Sequence, residues 1–230
     1  MEARNMARSF AGGTDQLYWS MPTTSPAVGS FAFRMKTTQT TVNAAAVVYW
    51  DTSSRWGFGF ILNNTAGKLL VQGYSSSSTP AIQLLSTTTV NDGNWHSIVF
   101  NYNRANGGAN ALFIDGTQEA SGNSGALWNK LGNNLPFVLG DSLDTFWPSY
   151  VGEIAEVAHW ADASNSQLNA DEIEALGLPR NGFSPRLIRP TSLIFHAPVV
   201  RETRELRAGL AGNTTGGSVS DHPRVLGGIC

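Results

Sequence analysis

The chain has 230 residues, 41% of them hydrophobic and only 14% charged, with a net charge of −2 and one cysteine, Cys230. That length suits one domain with a modest extension and is enough to bury a core without staples. A near-neutral charge excludes a global field for nucleic acid, and a lone cysteine excludes an intramolecular disulfide, as expected of folding in a reducing compartment.

Residues 1–8 carry no apolar core of signal-peptide length, and no run reaches the length of a membrane span, so neither a cleaved export signal nor a membrane anchor is expected. Residues 31–36 then alternate cleanly, predicting a strand that buries Phe31, Phe33 and Met35. Strand-like runs follow at 46–50, 56–62, 68–74, 81–85, 96–102, 111–114, 136–140 and 152–160. Turn formers separate them, as at 63–67, 75–80 and 103–110, where Asn106-Gly107-Gly108 supplies residues suited to positive φ. Strands at roughly ten-residue spacing predict an all-β fold, two packed antiparallel sheets forming a sandwich.

One helix is predicted over 169–176, with Asn169 as cap, Asp171 and Glu172 in the first turn, and Gly177 as its stop. Beyond Pro179 the character changes. Pro185, Pro190, Pro198 and Pro223 interrupt regular structure, and 209–217 is rich in glycine. The expected division is therefore a sandwich over 1–178 and an extended C-terminal arm over 179–230, with short β pieces such as 192–195. Arginines concentrate between Arg180 and Arg207, but Glu202 and Glu205 are interleaved, so no phosphate-binding stripe is expected.

Three stretches fit one pattern: Asp92-Gly93-Asn94-Trp95-His96, then Leu112-Phe113-Ile114-Asp115-Gly116, then the strand from Gly152 to Trp160. Their order and spacing resemble the laminin-G/pentraxin-like branch of the concanavalin-A-like lectin and glucanase superfamily. The resemblance covers roughly 8–178 and implies a jelly-roll sandwich followed by a short helix. Further on, 188–198 and 220–225 resemble the ending of laminin-G-like proteins encoded by tailed bacteriophages.

Superfamily glucanases carry acids at i, i+2 and i+4 of one strand, so that all share a face. Here the acids are Glu153 and Glu156, and odd spacing on a regular strand predicts opposite faces. No nucleophile elbow, phosphate-cradling loop or metal-spaced histidine pair is present. Trp95 is expected to pack in the sandwich and His96 to bond at its edge. A non-enzymatic protein is expected.

The aromatic candidates are Tyr74, beside a serine run, and Trp147 and Tyr150 in the loop 146–150. Read as exposed, they suit sugar stacking, protein contact or local packing. Asp115, Asp141 and Asp144 are weak calcium candidates, and no other cofactor is expected. A charge-poor adhesive surface without an export signal points to a virion protein assembled in the host cytoplasm. The leading expectation is a capsid decoration protein, homo-oligomeric, gripping the major capsid protein with an arm that includes Leu193, Phe195, Pro198, His222 and Pro223. The alternative is an adhesin, on a phage tail or a cell surface, that recognises host glycans.

Overall fold

A computed structural model describes residues 6–21, 26–51, 56–62, 67–75, 80–127, 135–144, 146–161, 167–178, 182–199, 203–207 and 209–221. Its first strands are β1 (Met6–Ala11), β2 (Gln16–Ser20), β3 (Val28–Lys36), β4 (Ala44–Asp51), β5 (Trp56–Leu62) and β6 (Lys68–Tyr74). Then come β7 (Pro80–Thr89), β8 (Trp95–Asn103), β9 (Ala109–Ile114), β10 (Thr117–Asn123), β11 (Pro136–Leu139) and β12 (Val151–Trp160). Helix α1 (Ala170–Gly177) precedes β13 (Leu193–Ala197), β14 (Asn213–Thr215) and β15 (Ser218–Asp221).

The eight-stranded sheet runs β10-β9-β8-β3-β12-β1-β15, with β13 also paired to β12; the seven-stranded sheet runs β14-β2-β11-β4-β5-β6-β7. Strand β3 shows how sequence makes the layers. Phe31, Phe33 and Met35 face the other sheet, while Ala32, between them in sequence, packs outside. Across the interface Phe31 meets Phe58 at 4.7 Å between ring centroids and Phe33 meets Phe60 at 4.9 Å. Each such buried side chain contributes about 1.5–3 kcal/mol, so a core of this kind needs no disulfide.

Helix α1 forms where expected, closed by a capping box. Asn169 Oδ1 accepts from the Glu172 amide at 3.0 Å, and the Glu172 carboxylate accepts from the Asn169 amide at 2.8 Å. Its Ile173 and Leu176 pack with Val99, Ala158 and Trp160 on the outer face of the eight-stranded sheet. Buried Arg34 reaches the helix end, donating to the carbonyls of Leu176 and Leu178 at 3.2 and 3.1 Å. Burial holds the Arg34 pKa below its ordinary value, against the pull of Glu156 and Asp115.

The segment after residue 178 does contain short β pieces, but they do not extend away as an arm. Strand β13 pairs with β12 along Val157–Trp160, β15 pairs with β1, and β14 pairs with β2. Phe195 is in the main core, its ring 5.2 Å from Trp19 and 5.3 Å from Phe137. Leu193 lies with Trp160 and the α1 residues, and half-buried Pro198 accepts from the Glu156 amide at 3.2 Å. The reason is edge satisfaction. Strands β1, β2 and the far half of β12 would otherwise present unpaired N–H and C=O groups, and the tail supplies partners. Gly216 and Gly217, both at positive φ, form the turn by which the chain leaves β14 on one sheet and enters β15 on the other. His222 and Pro223 lie outside the described residues.

A second correction concerns β12. Its register with β3 shifts between Ala155 and Ala158, and Glu156 takes φ +53°. This bulge inserts a residue and resets the alternation. Ile154 and Val157 therefore both enter the core, and Glu153 and Glu156 share the outer face instead of opposing each other. Neither is free: Glu153 pairs with Lys36 Nζ at 2.8 Å and Glu156 with His196 Nε2 at 3.0 Å.

Candidate functional site

The outer face of the seven-stranded sheet is built by the same alternation that fills the core. Phe58 and Phe60 point inward from β5, leaving Gly59 and Ile61 outside. Leu69 and Val71 point inward from β6, leaving Leu70, Gln72 and Tyr74 outside; on β7, Ile82 and Leu84 leave Gln83 and Leu85. Gln72 and Gln83 are direct cross-strand partners. Their side chains thus emerge side by side.

The loop between β11 and β12 lays Trp147 over this face. Gly59 permits it, because a Cβ there would lie 2.9 Å from two carbons of the Trp147 ring. Hydrogen bonds inside the loop hold the ring down. Asp141 Oδ1 accepts from the amides of Ser142 and Leu143 at 2.5 and 3.0 Å, and the Ser149 hydroxyl lies 2.9 Å from Oδ2. The buried Ser142 hydroxyl sits 2.8 Å from Asp144 Oδ1 and accepts from the Trp147 amide at 3.4 Å. Asp144 Oδ1 also accepts from the Phe146 amide at 2.9 Å, and Pro148 accepts from the Ala45 amide at 2.9 Å, tying the loop to β4.

The result is a depression of about 510 Å³. That is within the size range of small-molecule sites, about 300–1,000 Å³. Its apolar lining is Leu70, Tyr74, Leu85, Phe146 and Trp147, and its polar lining is the amides of Asn43, Gln72 and Gln83. Gln72 Oε1 accepts from the Tyr74 hydroxyl at 3.1 Å. The Gln72 amide nitrogen and the side-chain amides of Asn43 and Gln83 have no hydrogen-bond partner among the described residues. Burial pushes the Tyr74 pKa up, so its phenol stays neutral.

Of the aromatics expected from sequence, the fold joins two and separates the third. Tyr74 and Trp147 meet at 6.2 Å between ring centroids, but they are only 7% and 4% exposed, so they form a floor, not exposed platforms. Tyr150 is fully buried on the other side of the sheet, in the main core, and donates to the Lys36 carbonyl at 3.0 Å. Sequence reasoning missed Asn43, Gln72 and Gln83. Their signal was glutamines at outward positions of consecutive strands, which acquires meaning only once the register is known.

The aspartates considered for calcium do not converge. Asp115 sits at the β9–β10 turn of the other sheet, where Oδ2 lies 2.7 Å from His96 Nδ1 and Oδ1 accepts from the Ser97 amide at 2.8 Å. Asp141 and Asp144 are engaged within the Trp147 loop. Among the described residues no group of three or more His, Cys, Asp or Glu side chains is placed to hold a metal ion. Trp95 is half-buried at the start of β8. His96 bridges Asp115 and Asp92, the latter at 3.1 Å from Nε2. Burial works against its charged form, but bonding and attraction from Asp115, then Asp92, raise its pKa overall. His159 is the opposite case. It is buried between the sheets, stacked on Phe31 at 3.9 Å, and desolvation lowers its pKa to about 3.

Comparison with known proteins fits this architecture. A solved heptameric SAP-like pentraxin from Limulus polyphemus aligns over 96% of this chain and 97% of its own, at 13% identity and TM-score 0.68. A candidate carbohydrate-binding protein from Bacteroides ovatus aligns over 96% of this chain at 13% identity and TM-score 0.69; this chain spans 61% of that one. Domain 4 of a GH43 extracellular arabinanase from Geobacillus stearothermophilus, solved with arabinotriose, aligns over 74% of this chain and 76% of its own, at 18% identity and TM-score 0.58. No curated protein sequence matches. A laminin-G-type family model matches residues 11–174, most of the sandwich, and on that match the chain belongs to the concanavalin A-like lectin/glucanases superfamily.

Proposed function

We propose that this chain is a non-catalytic carbohydrate-binding protein, an adhesive module whose site is the depression on the seven-stranded sheet. The observation that carries the reading is a set of amide groups without partners among the described residues, the side-chain amides of Asn43 and Gln83 and the amide nitrogen of Gln72, around an apolar floor. Sugars present C–H faces and a ring of hydroxyls, so they need apolar surface beside groups that both donate and accept. Support also comes from relatives of the same fold, among them the arabinanase domain solved with arabinotriose.

The absence of catalysis rests on the carboxylates. Hydrolysis needs an acid and a second carboxylate facing one glycosidic bond. Among the described residues the depression is lined by neither aspartate nor glutamate. The two glutamates of β12 belong to the other sheet and are each paired with a cation or histidine. The test is a glycan array followed by calorimetry on wild type and on Gln72→Ala/Gln83→Ala. The expected result is binding to one glycan class that falls at least about tenfold in the double variant, in line with two lost hydrogen bonds. Binding unchanged in that variant would remove this site from the account.

A further inference from the structure

Two features of the depression bear on what it accepts, and both rest on the carbohydrate-binding reading above. The first is charge. Among the described residues its lining contains no lysine, arginine or histidine, and the one ionisable group there, the Tyr74 phenol, is neutral at physiological pH. The cation at the start of β6 is committed elsewhere, since Lys68 Nζ donates to the Thr87 carbonyl. An acidic sugar would have to bring its carboxylate against apolar side chains and neutral amides without a counter-charge. Desolvating an ion on those terms costs more than neutral amide donors return.

The second feature is how the adjacent loop is held. Calcium requires six to eight oxygen ligands gathered at one point. In the loop carrying Phe146 and Trp147, the two aspartates instead cap backbone amides and bond serine hydroxyls. Ser142 sits at the centre, bonded to Asp144 and to both backbone groups of Trp147. Side-chain hydrogen bonds therefore do the positioning that a cation would do, and the donor set does not fit a calcium ion.

We infer that the depression binds a neutral glycan segment and does so without a divalent cation. Amides are suited to that task, because each Gln or Asn offers donors and an acceptor to a hydroxyl pair without preferring an anion.

Calorimetry on the full chain tests this with neutral arabino-, xylo- and gluco-oligosaccharides, and with sialyllactose and oligogalacturonate as acidic comparators. A neutral probe is expected to bind, with Kd changing less than about twofold when EDTA is added. Raising salt from about 0.05 to about 0.5 M, which screens ionic contacts, should also change Kd less than about twofold. Tighter binding of an acidic probe, or binding abolished by EDTA and restored by calcium, would overturn the inference while leaving glycan binding intact. Failure of every probe to bind would overturn the carbohydrate reading itself, and the inference with it.

Discussion

The two outer faces of the sandwich began with the same alternation and were finished differently. On the eight-stranded sheet the outward residues are covered: α1 and the C-terminal segment bury Trp160, Val99 and Ala158, and Arg34, Glu153 and Glu156 are all engaged. On the seven-stranded sheet the outward residues line an open depression: Trp147, Tyr74 and Gln72 are its nearly buried floor, Asn43, Gln83 and Leu85 are exposed around it, and the Gln72 amide nitrogen and the side-chain amides of Asn43 and Gln83 have no hydrogen-bond partner among the described residues. A face with its polar groups satisfied is structural; a face with apolar floor and unsatisfied amides is ready for a ligand. The same sheet chemistry thus leaves one face closed and the other open, one on each side of a common core.

The sharpest way to break this comparison is to remove the cover. A chain ending at residue 178 lacks β13, β14 and β15 and takes Phe195 out of the core. It is expected to lose cooperative denaturant unfolding altogether, which circular dichroism would show. A truncated chain that unfolds cooperatively would mean the tail is an accessory. Next in size is Trp160→Ala, which removes a fully buried ring and its bond to the Ile188 carbonyl at 2.7 Å. The expected loss is about 3–5 kcal/mol by denaturant titration, with glycan affinity of the folded fraction unchanged.

Substitutions on the open face should reverse that balance. Gly59→Val would displace the Trp147 ring, lowering affinity more than about tenfold at about 1–3 kcal/mol of stability. Gln72→Ala should weaken binding by about three- to tenfold, the equivalent of one net hydrogen bond, and, because Gln72 is buried and accepts from the Tyr74 hydroxyl, should also cost about 1–2 kcal/mol of stability. A loss of stability with the affinity of the folded fraction unchanged would make the face structural after all.

The smallest expected effect concerns pH. His96 has a folded pKa raised above its unfolded value of about 6.5, so its stabilisation is complete below that pH and fades as pH rises through the folded value. Wild type should therefore exceed His96→Gln in stability by more at about pH 5.5 than at about pH 8.5. Urea titrations at both pH values would show it, and an equal difference at both would mean the two aspartates do not sense its charge.

Much of this architecture was legible from local sequence. Alternation at Phe31, Phe33 and Met35 marked the core face, and Asn169 with Glu172 three positions later marked the helix start. What failed depended on pairing. Nothing in the sequence around Glu156 marks a residue that will take positive φ, so the bulge reversed the predicted face of that carboxylate. The tail resembled an arm because prolines hide short strands, and because only the assembled sheets show which edges lack partners. Tyr74 and Trp147 were recognised as residue types, but their burial depends on Gly59 lying under the ring. Asn43, Gln72 and Gln83 stood out only after the β6–β7 register placed two glutamines side by side.

The most direct test is a crystal structure of the chain with a neutral oligosaccharide that binds it in solution. The account predicts sugar density against Phe146 and Leu85, with hydroxyls bonded to the Gln72 and Gln83 amides. Density on the eight-stranded face, near Glu153 or Glu156, would contradict it.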